Sequence, residues 1–415
     1  MKSFGKAIRN GLPAIGLGLI STVALVGVTA VSAPVAVAQK VESSKEFVEH
    51  FGLANKAYQA KQWNDVLKET DAAAPFAKTA QEKGALAQMR VVAFQQLKRP
   101  KDAIKEIEGN SSLPNTYKDM LPGLYDQAGD KAKAAQLTKE KIQSGKGSAT
   151  DYGYVANNEL ATKDYKGAIA DAQKALQAPG GSANSATYYN IILKAQLDSK
   201  DMDGYYATLE KVAPILKKEV YWRPLIERTM KEPKYKSQDA EVDVMRTMKA
   251  AGVQLQTKEL TEYGEFAYNR GSAIEAENVL EPLVKSGEYG GPKDPKGERD
   301  KKLYASIQAD AKADKAGDMA KSEADAATKA TGEQLVAVGD AYLGAGNYAK
   351  AVEVIQKGIA KGQLEPGALE LAKLRLGMAQ FKAGQKDDAK KTWATVKGDN
   401  GSGWLARCWL AIAKS

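Results

Sequence analysis

Small residues, turn-forming residues and apolar stripes recur along this chain at one spacing. Near the C-terminus Gly339 is followed by Gly346 and Ala351, and Gly377 by Gly384 and Ala389; earlier, Gly264 is followed by Gly271 and Ala276. Each copy reads small residue, six others, glycine, four others, alanine. The template slides upstream onto Ala54/Lys61/Val66, Val91/Lys98/Ala103, Pro122/Gly129/Ala134, Ala156/Lys163/Ala168, Ile192/Ser199/Gly204 and Arg228/Tyr235/Ala240. First positions from 54 to 264 stand 31–37 residues apart, and 339 and 377 stand 38 apart. Asp310/Gly317/Ser322 fits poorly between them. After the alanine, apolar residues follow at helical spacing, as in Ala351, Val354, Ile355 and Ile359. The pattern predicts pairs of antiparallel helices. The small residues mark where the two axes cross closely, and the central glycine marks where the first helix stops. Pro75, Pro114, Pro179, Pro214 and Pro366 are expected to follow second helices.

A period near 34 residues is that of a two-helix repeat. The frames Gly339–Ile355 and Gly377–Trp393, and the run Tyr165-Lys166-Gly167-Ala168-Ile169, resemble the tetratricopeptide repeat (TPR) family over nearly all of the chain after residue 38. The run Tyr221-Trp222-Arg223-Pro224-Leu225-Ile226 through Gly264-Glu265-Phe266-Ala267 is similar to exported proteobacterial members of uncharacterised function. The resemblance implies an all-α solenoid of about ten TPR-like hairpins wound as a right-handed superhelix. It also implies a scaffold or adaptor that holds other proteins.

The pattern breaks once, at Lys285–Lys302, where Gly-Gly-Pro-Lys-Asp-Pro-Lys-Gly at 290–297 reads as an exposed loop. The segment after it is poor in large apolar residues, so a hinge is expected there. This divides the chain into a solenoid at 39–284, a loop insertion at 285–302 and a second solenoid at 303–415. The end, Trp404-Leu405-Ala406-Arg407-Cys408-Trp409-Leu410, reads as a helix capping the last repeat.

The first 38 residues break the pattern differently. Lys2, Lys6 and Arg9 precede an uncharged stretch from Asn10 to Gln39, and Ala36-Val37-Ala38 has the small-x-small form of a cleavage site. These are the parts of a secretory signal peptide. Cleavage after Ala38 leaves a soluble chain in the periplasm or outside the cell, without stable membrane insertion. Glycines at 11, 16, 18 and 27 and Pro13 argue against a retained anchor, and the single cysteine, Cys408, rules out lipidation near the junction.

Composition narrows the chemistry. Without Lys2, Lys6 and Arg9 the 60 basic residues fall to 57 against 51 acidic, and the excess is dispersed, which does not suit nucleic acid. His50 is the one histidine, so zinc sites and thiol or imidazole catalysts have little material. His50 and Cys408 read as structural. Ser144-Gly145-Lys146-Gly147-Ser148 lacks the upstream glycine of a phosphate loop, and Asp387-Asp388 reads as a solvated turn. Tyr58, Tyr125, Tyr342, Tyr348 and Trp393 fall where helices pack. No catalytic, cofactor-binding or metal-binding residue is assigned, and an envelope hydrolase is the less favoured alternative beside self-assembly.

The remaining candidates lie on first helices, one and four residues beyond the first small position or close by. They are Asn55, Tyr58, Asn157, Tyr189, Gln196, Glu265 and Tyr268, with Leu160, Asn190 and Leu193 beside them. Asparagine can both donate to and accept from a peptide backbone, so these residues form the predicted groove for a protein or peptide partner. The preceding positions, Phe51 and Gly153, carry no cation for a terminal carboxylate.

Overall fold

The computed structural model describes residues 43–232, 240–398 and 401–414, and among them all regular structure is helical. The predicted signal peptide lies outside the described residues. Contacts group the chain into two compact units, one of residues up to 99 with 108–113, the other of 100–107 with 114–415.

In the first unit, α1 (Lys45–Gln59) and α2 (Trp63–Ala73) form a hairpin followed by α3 (Ala80–Gln96). The Ser44 hydroxyl accepts from the Phe47 N–H and starts α1, while a Thr79–Glu82 capping box starts α3. Ala54 and Val66 are fully buried where α1 and α2 cross. Tyr58 meets Trp63 edge-to-face at 5.5 Å across the turn, and His50 Nδ1 lies 2.9 Å from Glu69 Oε2. Both residues therefore join helices of one hairpin.

The second unit takes up the chain in α4 (Pro100–Gly109), whose last two residues group with the first unit. It continues through α5 (Asn115–Lys118), α6 (Leu121–Gln127), α7 (Lys131–Lys141), α8 (Ala149–Ala161), α9 (Tyr165–Gln177), α10 (Ser185–Asp198), α11 (Met202–Leu216), α12 (Glu219–Lys231) and α13 (Glu241–Ala250). Then follow α14 (Thr257–Asn269), α15 (Ala273–Ser286), α16 (Gly297–Ala313), α17 (Met319–Thr328), α18 (Glu333–Gly344), α19 (Tyr348–Lys361), α20 (Pro366–Lys382), α21 (Lys386–Ala394) and α22 (Ser402–Ile412). Adjacent members pack as hairpins: α6/α7, α8/α9, α10/α11, α14/α15, α18/α19 and α20/α21. The small positions do what the spacing requires. A methyl group on Gly264 would lie 2.3 Å from Leu280, and one on Gly377 2.2 Å from Trp393 Nε1.

The turns follow one rule. Lys61, Lys98, Gly129, Lys163, Gly271, Gly346 and Gly384 all have positive φ, and the next residue's N–H reaches back five residues, as Asp164 does to Glu159 O at 2.8 Å. This is the glycine-type C-cap. In the fifth pair the left-handed residue is Lys200, not Ser199, so that copy's true register is one residue later than the template. Lysine in this conformation costs roughly 1–2 kcal/mol, which its charge at the helix's negative end offsets only in part. Lys163→Gly is therefore expected to raise stability by about 0.5–1 kcal/mol, read as a higher urea midpoint. A lower midpoint would contradict the strain.

Other departures have local causes. Asp310 and Ser322 are exposed, whereas Ala311 and Ala326 are buried. The chain kinks at Asp314–Asp318, where Gly317 leaves the helical range at φ 117°, and a break there resets the register of side chains on either side. Pro122 is tolerated because α6 begins only at Leu121, and Leu121 and Leu124 take the buried positions. Pro214 lies inside the last turns of α11, and Pro366 opens α20 instead of closing α19. Asp387 and Asp388 stand in the first turn of α21, not in a connecting turn.

The Gly290–Lys296 segment loops outward, but Tyr289 is buried and meets Tyr304 edge-to-face at 6.5 Å. Val279, Leu280 and Leu283 before the loop share one apolar core with Tyr304, Ile307 and Leu335 after it. The core thus runs across the expected hinge. The final helix does more than cap: α22 packs on α20 and α21 and also on α11, α12 and α13. Consequently Val242 to Met248 of α13 are buried without a break. A helix buried all round is a core helix, where a simple solenoid's repeats touch only their neighbours.

Candidate interaction face and a buried charge cluster

First helices of successive hairpins are linked by side-chain hydrogen bonds. The Tyr154 hydroxyl on α8 donates to Asp126 Oδ1 on α6 at 2.9 Å, and Tyr221 on α12 donates to Asn190 Oδ1 on α10 at 3.0 Å. Tyr268 on α14 donates to Asp310 Oδ2 on α16 at 2.7 Å, while Glu265 accepts from Tyr289 and pairs with Arg299. Burial, then the neighbouring Asp126, pushes the Tyr154 phenol well above its usual range, so it remains a donor.

The candidate groove residues are thereby sorted. Glu265 and Tyr268 already serve the next first helix. Gln196 is only 6% exposed and lies against the start of α11, where a methyl group on Gly204 would come 2.8 Å from its Nε2. The one-residue register shift at Lys200 explains this. Asn157 is exposed on α8, with Tyr189 half-buried on α10. In the first unit, Asn55 and Tyr58 are half-buried on α1, and the Tyr58 ring packs on Trp63. The solvent-facing stretch of the second unit therefore runs over α8 and α10, around Asn157 and Tyr189, with Asn190 beside them already engaged by Tyr221. A separate open depression lined by Lys101, Ile104, Tyr125, Ala128, Gly129 and Asp130 lies at the α4–α6 end.

The spacing gave no hint of the most concentrated polar chemistry. Arg246 on the buried helix α13 forms a two-pronged pair with Glu275, Nε to Oε1 at 2.9 Å and Nη2 to Oε2 at 2.6 Å. Its Nη1 also reaches Asp243 at 3.1 Å and Asp340. Arg375 Nε donates to Asp243 Oδ2 at 3.0 Å, Arg270 Nη2 to Asp340 Oδ2 at 2.9 Å, and the Tyr263 hydroxyl to Glu275 Oε1 at 2.6 Å. Three guanidinium groups thus face three carboxylates. Burial works against the charge on Asp340, but Arg246, Arg375 and Arg270 overcome it and hold its pKa well below the usual carboxylate range. Burial likewise opposes the charge on Arg246, and Asp340 and Glu275 more than restore it. Both groups stay ionised around neutrality, so the cluster acts as a clamp between helices rather than a relay for protons.

The one available signal was α13 itself, Val-Asp-Val-Met-Arg-Thr-Met at 242–248, which has charges but no polar face. Among the described residues no group of three or more His, Cys, Asp or Glu is placed to hold a metal ion, and no helix is long and apolar enough to cross a membrane. Cys408 is buried in α22, and burial pushes its thiol well above the usual range, which suits a small core residue. Ser148 caps α8 with Asp151, while Ser144, Gly145 and Lys146 belong to the end of the preceding helical segment.

No protein-family model matches the chain, and no curated protein sequence matches it. Among solved structures it is similar to the crystal structure of yeast Tom70, at 13% identity over 89% of this chain and 96% of that one, with a TM-score of 0.20. That superposition is too loose to carry detail. The architecture rests on the helices themselves, which pack in adjacent pairs at the predicted spacing as a TPR-like helical repeat.

Proposed function

We propose that this protein is a non-catalytic adaptor of the bacterial periplasm, like the exported proteobacterial repeat proteins its sequence resembles. Its partner is an extended peptide or helix of an envelope protein. The observation carrying this reading is the solvent-facing stretch of α8 and α10, where the Asn157 amide and the Tyr189 ring offer backbone recognition and apolar contact on rigid helices. Export rests on the sequence of residues 1–38, and scaffolding on the helical-repeat fold.

The test is crosslinking in living cells from a photoreactive residue at position 157, followed by mass spectrometry. A discrete protein partner is expected, with recovery falling about tenfold or more in an Asn157→Ala/Tyr189→Ala double variant. The same spectra should show Gln39 as the N-terminus of the captured chain. Unchanged recovery in the double variant would remove this face from the binding site, and an intact segment 1–38 would overturn cleavage after Ala38 and with it the soluble form of the chain.

A further inference from the structure

Glycine inside a helix costs about 1 kcal/mol relative to alanine, so its presence calls for a local reason. In this protein the reason is nearly always visible. A methyl group added to Gly84 would meet the Ser112 carbonyl at 2.8 Å, to Gly153 the Tyr188 ring at 2.4 Å, and to Gly339 the Ile355 side chain at 2.5 Å. Gly264, Gly358 and Gly377 are pressed in the same way by Leu280, Val336 and Trp393. Each of these glycines marks a place where another part of the chain comes in close. Gly52, in the middle of α1, has nothing within 4 Å of its added methyl and is exposed.

Its surroundings on that outer face are those of a contact surface. Leu53, the next residue along, is 45% exposed and belongs to the few large apolar side chains left in solvent. Glu49 and Lys56 are also exposed, one full heptad apart on the same side of the helix. We infer that Gly52 is a helix crossing point for a second copy of this chain, α1 packing antiparallel on α1.

The charge pattern selects that occupant. In an antiparallel pair with its two-fold axis between residues 52 and 53, Glu49 of each copy lies opposite Lys56 of the other. Gly52 of each receives Leu53 of the other. Such a contact is isologous, each residue meeting its counterpart's partner in both directions, which is what a closed dimer requires. Small residues at the crossing let the axes approach to the short end of the usual 8–10 Å. This surface is distinct from the α8–α10 face, so self-association and partner binding are separable.

Sedimentation equilibrium of the intact chain over a concentration series tests the assignment. The expected result is a reversible monomer–dimer equilibrium that Gly52→Leu and Leu53→Glu each shift to monomer, with unchanged helicity by circular dichroism. Glu49→Lys should weaken the dimer, and Glu49→Lys combined with Lys56→Glu should restore it. A wild-type chain that stays monomeric throughout the series would overturn the inference. So would a dimer indifferent to Gly52→Leu, or a charge reversal that the second reversal does not rescue; the latter would assign the face to another protein or to the chain's own N-terminal residues.

Discussion

Replacing Arg246 by alanine is expected to destabilise the second unit by about 3–5 kcal/mol, the usual consequence of removing one partner from a buried ionic group. The cause is what stays behind. Glu275 loses a two-pronged partner, Asp340 loses one of the guanidinium groups that hold it ionised, and Asp243, completely inaccessible to solvent, loses one of its ion-pair partners. Arg246→Met combined with Glu275→Leu should cost less than the two single changes summed, because the charge and its counter-charge leave together. The urea midpoint and slope of each variant measure this. Equal additivity would show that the pair is not coupled.

The same cluster sets an acid limit. Asp340 has its folded-state pKa depressed below the ordinary 3.8, so the folded form binds the proton less readily than the unfolded form. Its contribution is complete above about pH 4 and declines as pH falls through the folded-state value. Asp340→Asn should flatten the acid limb of the stability curve while lowering stability at neutrality.

The hairpins were legible in the sequence because packing imposes them locally. A helix pair that crosses closely needs a small residue at a fixed distance from its turn, and Ala54, Ala156, Ala276, Ala351 and Ala389 are all fully buried there. Where local backbone geometry intervened, the register slipped: the left-handed cap fell at Lys200, one residue beyond the template, and left Gln196 buried, and the kink at Asp314–Asp318 accompanies the exposure of Asp310. The closure was not legible. Asp243 finds Arg375 132 residues away and Trp409 finds Thr247 162 residues away, and no periodicity reports contacts of that range. The exposure of the candidate face was half legible for a related reason. A position facing the next first helix can be recognised from its own repeat, but whether a neighbour such as Asp310 will occupy it depends on the register of another repeat.

Trp409→Ala is the change expected to test the closure most directly, with a loss of about 3–5 kcal/mol. The indole is 1% exposed, stacked on Trp393 at 5.3 Å and set against Phe381 at 5.8 Å. Its Nε1 donates to Thr247 Oγ1 at 2.8 Å, and that hydroxyl in turn donates to the Asp243 carbonyl at 2.6 Å. The side chain therefore joins the last helix to α13 by area and by direction. The two parts separate experimentally: Trp409→Phe keeps most of the area and gives up the hydrogen bond, for an expected loss nearer 1 kcal/mol. Hydrogen exchange supplies the readout specific to closure. Amides of Val242–Met248 should lose protection in Trp409→Ala along with those of α22, because the same helix that caps the last hairpin also seals α13. If protection fell in α22 while α13 kept its own, α22 would be only an end cap, and the burial of α13 would have to be credited to the charge cluster and the hairpins around it.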